Sequence, residues 1–236
     1  MARSPESSSP QYGVCFDLYS TLVHEDSSNP FYREVASVLR LDPEKWMPAY
    51  RKRGKDSMAG RLSDMSERVR VSADDSGFTR TRDEVVTAVE DAFPSFVRSV
   101  RIDPHALDLL GRLRADGARL ALLSNASSYS EEILDRVGLR DRFDTVVLSY
   151  RVKLLKPDPE IYRLALAGLG LPAESVTFVG DGGDQELSGA RKAGMRTVLV
   201  DRSLPHSESA KADADHVVSD LAEVHKICTH PQSLHR

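Results

Sequence analysis

Residues 175–194, SVTFVGDGGDQELSGARKAG, decide the fold. They read as an apolar strand over 175–180, an acidic glycine-rich loop, and a helix over 185–193 stopped at Gly194. TVLV at 197–200 supplies the next strand. Working back toward the amino terminus, the same alternation repeats. A helix over 158–168 follows Lys156-Pro157, and TVVLS at 145–149 is a strand. A helix over 129–137 ends at Gly138, RLALLS at 119–124 is a strand, and a helix over 104–116 ends at Gly117. A last short strand is expected at 216–218. The strands are continuous apolar runs, which is the pattern of a parallel sheet covered on both faces. Strand–helix alternation at this spacing predicts an α/β, doubly wound Rossmann-like fold.

The first strand, YGVCFDLYS at 12–20, stands apart from this series. Between it and the later alternation, residues 24–99 read as helices. Phe31, Val35, Val38 and Leu39 mark one helical face. Asp42 and Pro43 suit the cap and first turn of a second helix. Val85, Val86, Val89 and Phe93 form a stripe on a third, over 81–97. Residues 72–77 read as a loop. The expected organisation is a core of 12–23 plus 100–222, a helical cap over 24–99, a disordered tail over 1–11 and a polar tail over 223–236.

Composition excludes several classes. The 236 residues carry 32 Lys plus Arg against 36 Asp plus Glu, a net charge of −4, so binding of nucleic acid by bulk positive charge is not expected. No apolar run reaches about 18 residues, so no membrane span is expected. The polar Ser- and Pro-rich start lacks the apolar segment of a secretory signal. Two cysteines, Cys15 and Cys228, do not make a disulfide framework, and a reduced cytoplasmic setting follows. His225, His230 and His235 have no zinc-ligand spacing and read as a solvated tail.

In an open α/β sheet, ligands bind at the carboxyl ends of the strands. There the sequence places Asp17, Tyr19, Ser20 and Thr21 after the first strand, and Ser124 and Asn125 after the second. Lys156 follows the third. Asp181, Asp184 and Glu186 follow the fourth. Each has a bland reading alone: Asp17 as a turn cap, Lys156 as a solvated loop lysine, Tyr19 as packing. Together they converge on one edge. Gly182-Gly183 lacks the spacing of a nucleotide-binding loop.

These residues carry a resemblance to the haloacid dehalogenase superfamily, through FDLYSTL at 16–22, LLSN at 122–125, KPDPEIY at 156–162 and FVGDGGDQELSGARKAGM at 178–195. The helical insertion lies where that family's type-1 cap lies. The resemblance implies Asp17 as nucleophile, with a covalent aspartyl intermediate. It implies Ser124, with Asn125 beside it, as the group binding the transferring unit, Thr21 as support for the first motif, and Lys156 as the balancing cation. For the family's phosphatases it implies Mg²⁺ on Asp17, the backbone carbonyl of Tyr19, Asp181 and Glu186.

Two motifs pull apart. The phosphatase pattern has a second Asp two residues after the nucleophile, and Tyr19 stands there; a phenol with pKa about 10 is a poor acid for that task. Asp17-Leu18-Tyr19-Ser20-Thr21 resembles the Asp-x-Tyr-Gly-Thr of the metal-independent 2-haloacid dehalogenases, with Ser20 for Gly. The Asp181 and Glu186 motif resembles the phosphatases instead. The expectation is a Mg²⁺-dependent phosphohydrolase acting on a small, anionic phosphorylated metabolite. The alternatives are a 2-haloacid dehalogenase and a binding protein of this fold with little hydrolysis. In the cap, Arg51-Lys52-Arg53-Gly54-Lys55 is a solvated charge run or an anion-binding lip, with Arg51 its candidate substrate ligand. Oligomeric state is not legible.

Overall fold

The computed structural model describes residues 12–26 and 28–229. The tail expected over 1–11, and His230 and His235, lie outside them.

Among the described residues eight strands form: β1 (Gly13–Phe16), β2 (Val23–Glu25), β3 (Val100–Ile102), β4 (Arg119–Ser124), β5 (Thr145–Leu148), β6 (Val176–Gly180), β7 (Arg196–Val200) and β8 (His216–Val218). Six make one parallel sheet, in the order β5-β4-β1-β6-β7-β8. The chain therefore starts in the middle of its own sheet and builds outward to both sides.

Register explains why the apolar runs are continuous. Phe16 pairs with Leu122 on one side and Val179 on the other, and all three belong to one buried cluster with Val14, Leu120 and Val198. The alternate residues Cys15, Ala121, Leu123, Phe178 and Leu199 pack on the opposite face. Both faces are covered, so the strand interiors are apolar on both sides, with polar residues such as Arg119, Ser124 and Arg196 at the strand ends.

The helices are α1 (Phe31–Val38), α2 (Pro43–Lys52), α3 (Gly54–Met58), α4 (Met65–Asp75), α5 (Arg82–Ser99), α6 (Ala106–Ala115), α7 (Ser130–Arg136), α8 (Ser149–Val152), α9 (Pro159–Leu169), α10 (Glu186–Lys192), α11 (Ser207–Ala210) and α12 (Val224–Thr229). Helix α6 covers the first face through Leu109, Leu110 and Leu113, and α9 the second through Ile161, Tyr162 and Ala165. The insertion between β1 and the later core holds α1–α5. Its two connections pair as an antiparallel ribbon, Val23 with Ile102 and Glu25 with Val100.

Local signals hold at the caps. Asp42 accepts the Glu44 N–H at 3.0 Å with Pro43 at the first helical position. Thr81 and Glu84 form a reciprocal capping box at the start of α5. Three expectations need correction. Residues 72–75 are the last turn of α4 and not a loop, because Met65, Val69, Ser72 and Ala73 are buried on one face and Asp64 caps the start. Val38 is 59% exposed and leaves the face formed by Phe31 and Val35. The polar tail does not begin at 223: α12 buries Val224 and Cys228 in the core.

Candidate active site

Asp17 continues β1 past its last paired residue, and its N–H donates to the Val179 carbonyl at 2.9 Å. It is thereby fixed at the carboxyl edge of the two central neighbours. Next comes a tight turn in which the N–H groups of Leu22 and Val23 both reach the Leu18 carbonyl. Ser20 in this turn has φ 59°, the left-handed region that glycine favours. Ser20 thus holds the conformation that a glycine in the dehalogenase pattern would hold without strain.

Lys156 is buried and its Nζ bridges two acids. It donates to Asp17 Oδ1 at 2.5 Å and to Glu186 Oε2. Asn125 places it: its Oδ1 accepts the Lys156 N–H at 2.8 Å, while its Nδ2 donates to Asp184 Oδ2 at 2.8 Å. Tyr162 donates its hydroxyl to the Glu186 carbonyl at 2.9 Å, tying α9 to the start of α10.

The loop after β6 aims its acids by its backbone. Gly182 has φ 86°, and its N–H donates to Glu186 Oε1 at 3.0 Å; the Gly183 N–H donates to Asp181 Oδ1 at 3.0 Å. His206 Nε2 meets Asp181 Oδ2 at 3.2 Å. A Cβ on Gly180 would collide with Glu186 Oε1, so the close approach of the Glu186 carboxylate requires glycine there.

Asp17, Asp181 and Glu186 each offer an oxygen, and these oxygens lie within 4.8 Å of one another. All three residues are buried. Burial is the main cause that raises the Asp17 carboxyl above its ordinary range; Lys156 works against it and Asp181 adds to it. Burial likewise pushes Glu186 up to about 8, again opposed by Lys156 and reinforced by Asp17 and Asp181. For Lys156, burial acts to lower the pKa, but Asp17 and Glu186 outweigh it and raise it, so the ammonium stays charged. Three buried carboxylates face one ammonium. That excess of hard anionic oxygens suits a divalent cation.

A shallow cavity of about 160 Å³ joins Asp17, Ser124, Lys156, Asp181 and Glu186. The Ser124 hydroxyl is buried there without a hydrogen-bond partner among the described residues. A second cavity of about 310 Å³ shares Tyr19, Ser20 and Asn125 with the first, and adds Glu25, Ser127 and Tyr129, with Met58 from the insertion. The insertion is tied down beside it by Ser149 Oγ, which donates to the Met58 carbonyl at 2.6 Å. Tyr19 lines both cavities, and its hydroxyl meets Ser130 Oγ at 2.9 Å. Burial, before any neighbouring charge, raises its phenol well above the ordinary value.

The structure thus brings together Asp17, Tyr19, Ser124, Asn125, Lys156, Asp181 and Glu186. It does not bring two expected residues to the cavities. Arg51 is exposed on α2. Thr21 is fully buried beneath the turn, where its carbonyl accepts from Arg202 at 3.3 Å. Arg53 is held by Asp75 and Asp56 and forms no open anion-binding lip. His206, Ser130 and Tyr129 were not legible as site residues: each reaches the site from a separate element through tertiary contact, with no motif around it.

Residues 13–194 match the haloacid dehalogenase-like hydrolase family. The chain belongs to this family. Curated relatives of this hydrolase carry both chemistries. It is 33% identical to phosphoserine phosphatase of Thermus thermophilus over 197 residues, 83% of this chain and 78% of that protein. It is 28% identical to (S)-2-haloacid dehalogenase of Pseudomonas fluorescens over 226 residues, 90% of this chain and 94% of that one. Among solved structures, a phosphatase of the family from Thermococcus onnurineus superposes with TM-score 0.65 at 22% identity, over 92% of this chain and 97% of that one. A 2-haloacid dehalogenase from Pseudomonas syringae superposes with TM-score 0.64 at 23% identity, over 93% and 98%. These likenesses establish the fold of a hydrolase of this family and leave the choice between phosphate ester and haloacid to the site.

Proposed function

We propose that this hydrolase is a Mg²⁺-dependent phosphohydrolase acting on a small phosphorylated metabolite. The observation that carries the reading is the convergence of the Asp17, Asp181 and Glu186 oxygens within 4.8 Å of one another, with the single buried ammonium of Lys156 meeting only two of them. Three carboxylates in one buried site are destabilising unless a cation lies among them. A metal-independent dehalogenase has no use for that arrangement.

The residues take roles in sequence. The Asp17 carboxylate attacks phosphorus as the bond to the leaving alcohol oxygen breaks, giving an aspartyl phosphate; water then releases phosphate and restores Asp17. Lys156 holds Asp17 Oδ1 and favours its ionised form against the effect of burial. The Ser124 hydroxyl, without a partner among the described residues, is free to donate to a phosphoryl oxygen. Asn125 fixes the Lys156 backbone. Asp17, Asp181, Glu186 and the Tyr19 carbonyl would hold Mg²⁺, which supplies charge neutralisation to the phosphoryl oxygens when bound. The helical insertion over 24–99 serves as a cap that closes water out of the larger cavity. Free, buried Cys15 and Cys228 support a reducing, cytoplasmic setting.

One observation favours the second reading, 2-haloacid dehalogenation. The residue two after the nucleophile is Tyr19, and halide needs no proton to leave. Phosphate release from monoesters that requires Mg²⁺ and vanishes in Asp17→Asn supports the phosphohydrolase. Metal-free chloride release from 2-chloropropionate replaces it with the dehalogenase. Silence on both, with Mg²⁺ still bound, favours a binding protein.

A further inference from the structure

We infer that the larger cavity receives a leaving group bearing a positively charged amine, held by Glu25 between the rings of Tyr19 and Tyr129. This rests on the phosphohydrolase reading and names its substrate class.

The lining decides the sign of the charge. Among the described residues lining this cavity, Glu25 is the one carboxylate and none is Lys, Arg or His; Arg68 stands outside the lining, hydrogen-bonded to the Tyr129 side chain. A carboxylate on the leaving group would meet Glu25 at the lining, where the nearby Arg68 guanidinium is already engaged by the Tyr50 carbonyl and the Tyr129 side chain. An ammonium would find its counter-ion. Glu25 is also pre-oriented: its Oε1 accepts from Asn29 Nδ2 at 3.0 Å and from the Tyr32 hydroxyl at 3.1 Å. Among the described residues, Oε2 accepts no hydrogen bond and is free for a donor from the ligand.

The aromatic walls have the same preference. Tyr19 and Tyr129 line the cavity. Burial raises the Tyr129 phenol above its ordinary value against the opposing pull of Arg68, and the Glu25 charge adds to the rise. Neutral rings present their negative faces to a cation. Tyr129 is itself fixed edge-on against Phe96, with ring centres 5.0 Å apart.

A separate observation bears on the leaving oxygen. Where the family's phosphatases carry an acid two residues after the nucleophile, this chain has Tyr19. Negative charge that builds on the leaving oxygen must be stabilised some other way. An ammonium on the same leaving group does so through the substrate itself.

The test uses phosphonates, whose P–C bond the enzyme does not hydrolyse. Binding of 3-aminopropylphosphonate and of neutral 3-hydroxypropylphosphonate is measured by calorimetry with Mg²⁺, on the wild type and on Glu25→Gln. The Gln side chain keeps an oxygen for Asn29 and Tyr32, and circular dichroism checks that the variant is folded. The expected result is at least tenfold tighter binding of the amine in the wild type, falling to within threefold in Glu25→Gln. An amine advantage below tenfold, one that survives Glu25→Gln, or no binding of either compound overturns the inference. The phosphohydrolase reading fails by a different sign, the absence of Mg²⁺-dependent phosphate release from any ester.

Discussion

Asn125 brackets the Lys156 backbone. Its Oδ1 takes the Lys156 N–H at 2.8 Å and its Nδ2 reaches the Lys156 carbonyl at 3.3 Å. The carboxamide therefore sets where the buried ammonium begins its reach toward Asp17 and Glu186. Asn125→Ala is expected to lower kcat for phosphate release by about 10–100-fold, since small misplacements of a catalytic group cost that much. KM should change less than kcat, and the circular dichroism spectrum should be unaltered. A loss confined to KM would mean that Asn125 contacts substrate only.

Lys156 is the counter-ion of two buried acids. Lys156→Met leaves them uncompensated, and removing one partner of a buried pair costs about 3–5 kcal/mol. Urea unfolding should show that loss in chelator, with part of it regained on adding Mg²⁺. Equal destabilisation with and without Mg²⁺ would count against a cation among these carboxylates.

The pH dependence of stability has a definite sign. Glu186, pushed up to about 8 by burial, holds its proton in the folded chain over a range where the unfolded chain has released it. A raised carboxylate contributes stability that is complete below its unfolded pKa, about 4.3, and is lost as pH climbs through its folded value. The metal-free protein should therefore lose stability between about pH 4.3 and pH 8. Glu186→Gln should flatten that slope, and so should Mg²⁺, which favours the ionised form. Thermal melts across this range in chelator check it; a Tm that rises over the window would contradict it.

Tyr19 stands where an acid would assist the leaving group. Tyr19→Asp is expected to speed release of phosphate from alkyl monoesters by about 100-fold, the lower end of general acid–base effects. Aryl esters, whose leaving groups need little proton assistance, should gain far less. Tyr19→Phe loses only the contact with Ser130 Oγ and should cost about 1 kcal/mol of stability.

Ser20 occupies φ 59° without a glycine's freedom. A side chain in that region costs about 1–2 kcal/mol, partly offset by the greater unfolded-state entropy of glycine, about 0.5–1 kcal/mol. Ser20→Gly should raise Tm by a degree or two, measured by calorimetry in chelator. A lowered Tm would show that the Ser20 side chain contributes more than the strain it carries.

Much of the core was legible because local and tertiary demands coincide there. β4 falls on 119–124 as read, since a buried parallel strand is apolar through its middle, and the short edge strand β8 falls on 216–218. Asp42 and Thr81 announced their helices because a cap is a local hydrogen bond. The site motifs were legible because each sits directly after a strand. The insertion was harder. Residues 72–75 look polar and turn-like, and only packing on the other helices makes them helical. Arg51 carried the charge expected of an anion ligand, yet α2 turns it to solvent. Glu25 is not legible as a site residue, because no motif surrounds it and Tyr129 joins it at the cavity only through the tertiary fold.

That ribbon has a consequence for how such a chain can diversify. Val23 and Ile102 are direct partners, so the segment between them leaves and returns at nearly the same point. Closing a longer excursion from a pinned gateway costs little more, about 0.6 kcal/mol for each doubling of its length. The sheet, with its nucleophile and its acids, is indifferent to what is threaded through that gateway. The recognition half of the molecule can be lengthened, shortened or exchanged as a cassette while the reactive half keeps its register.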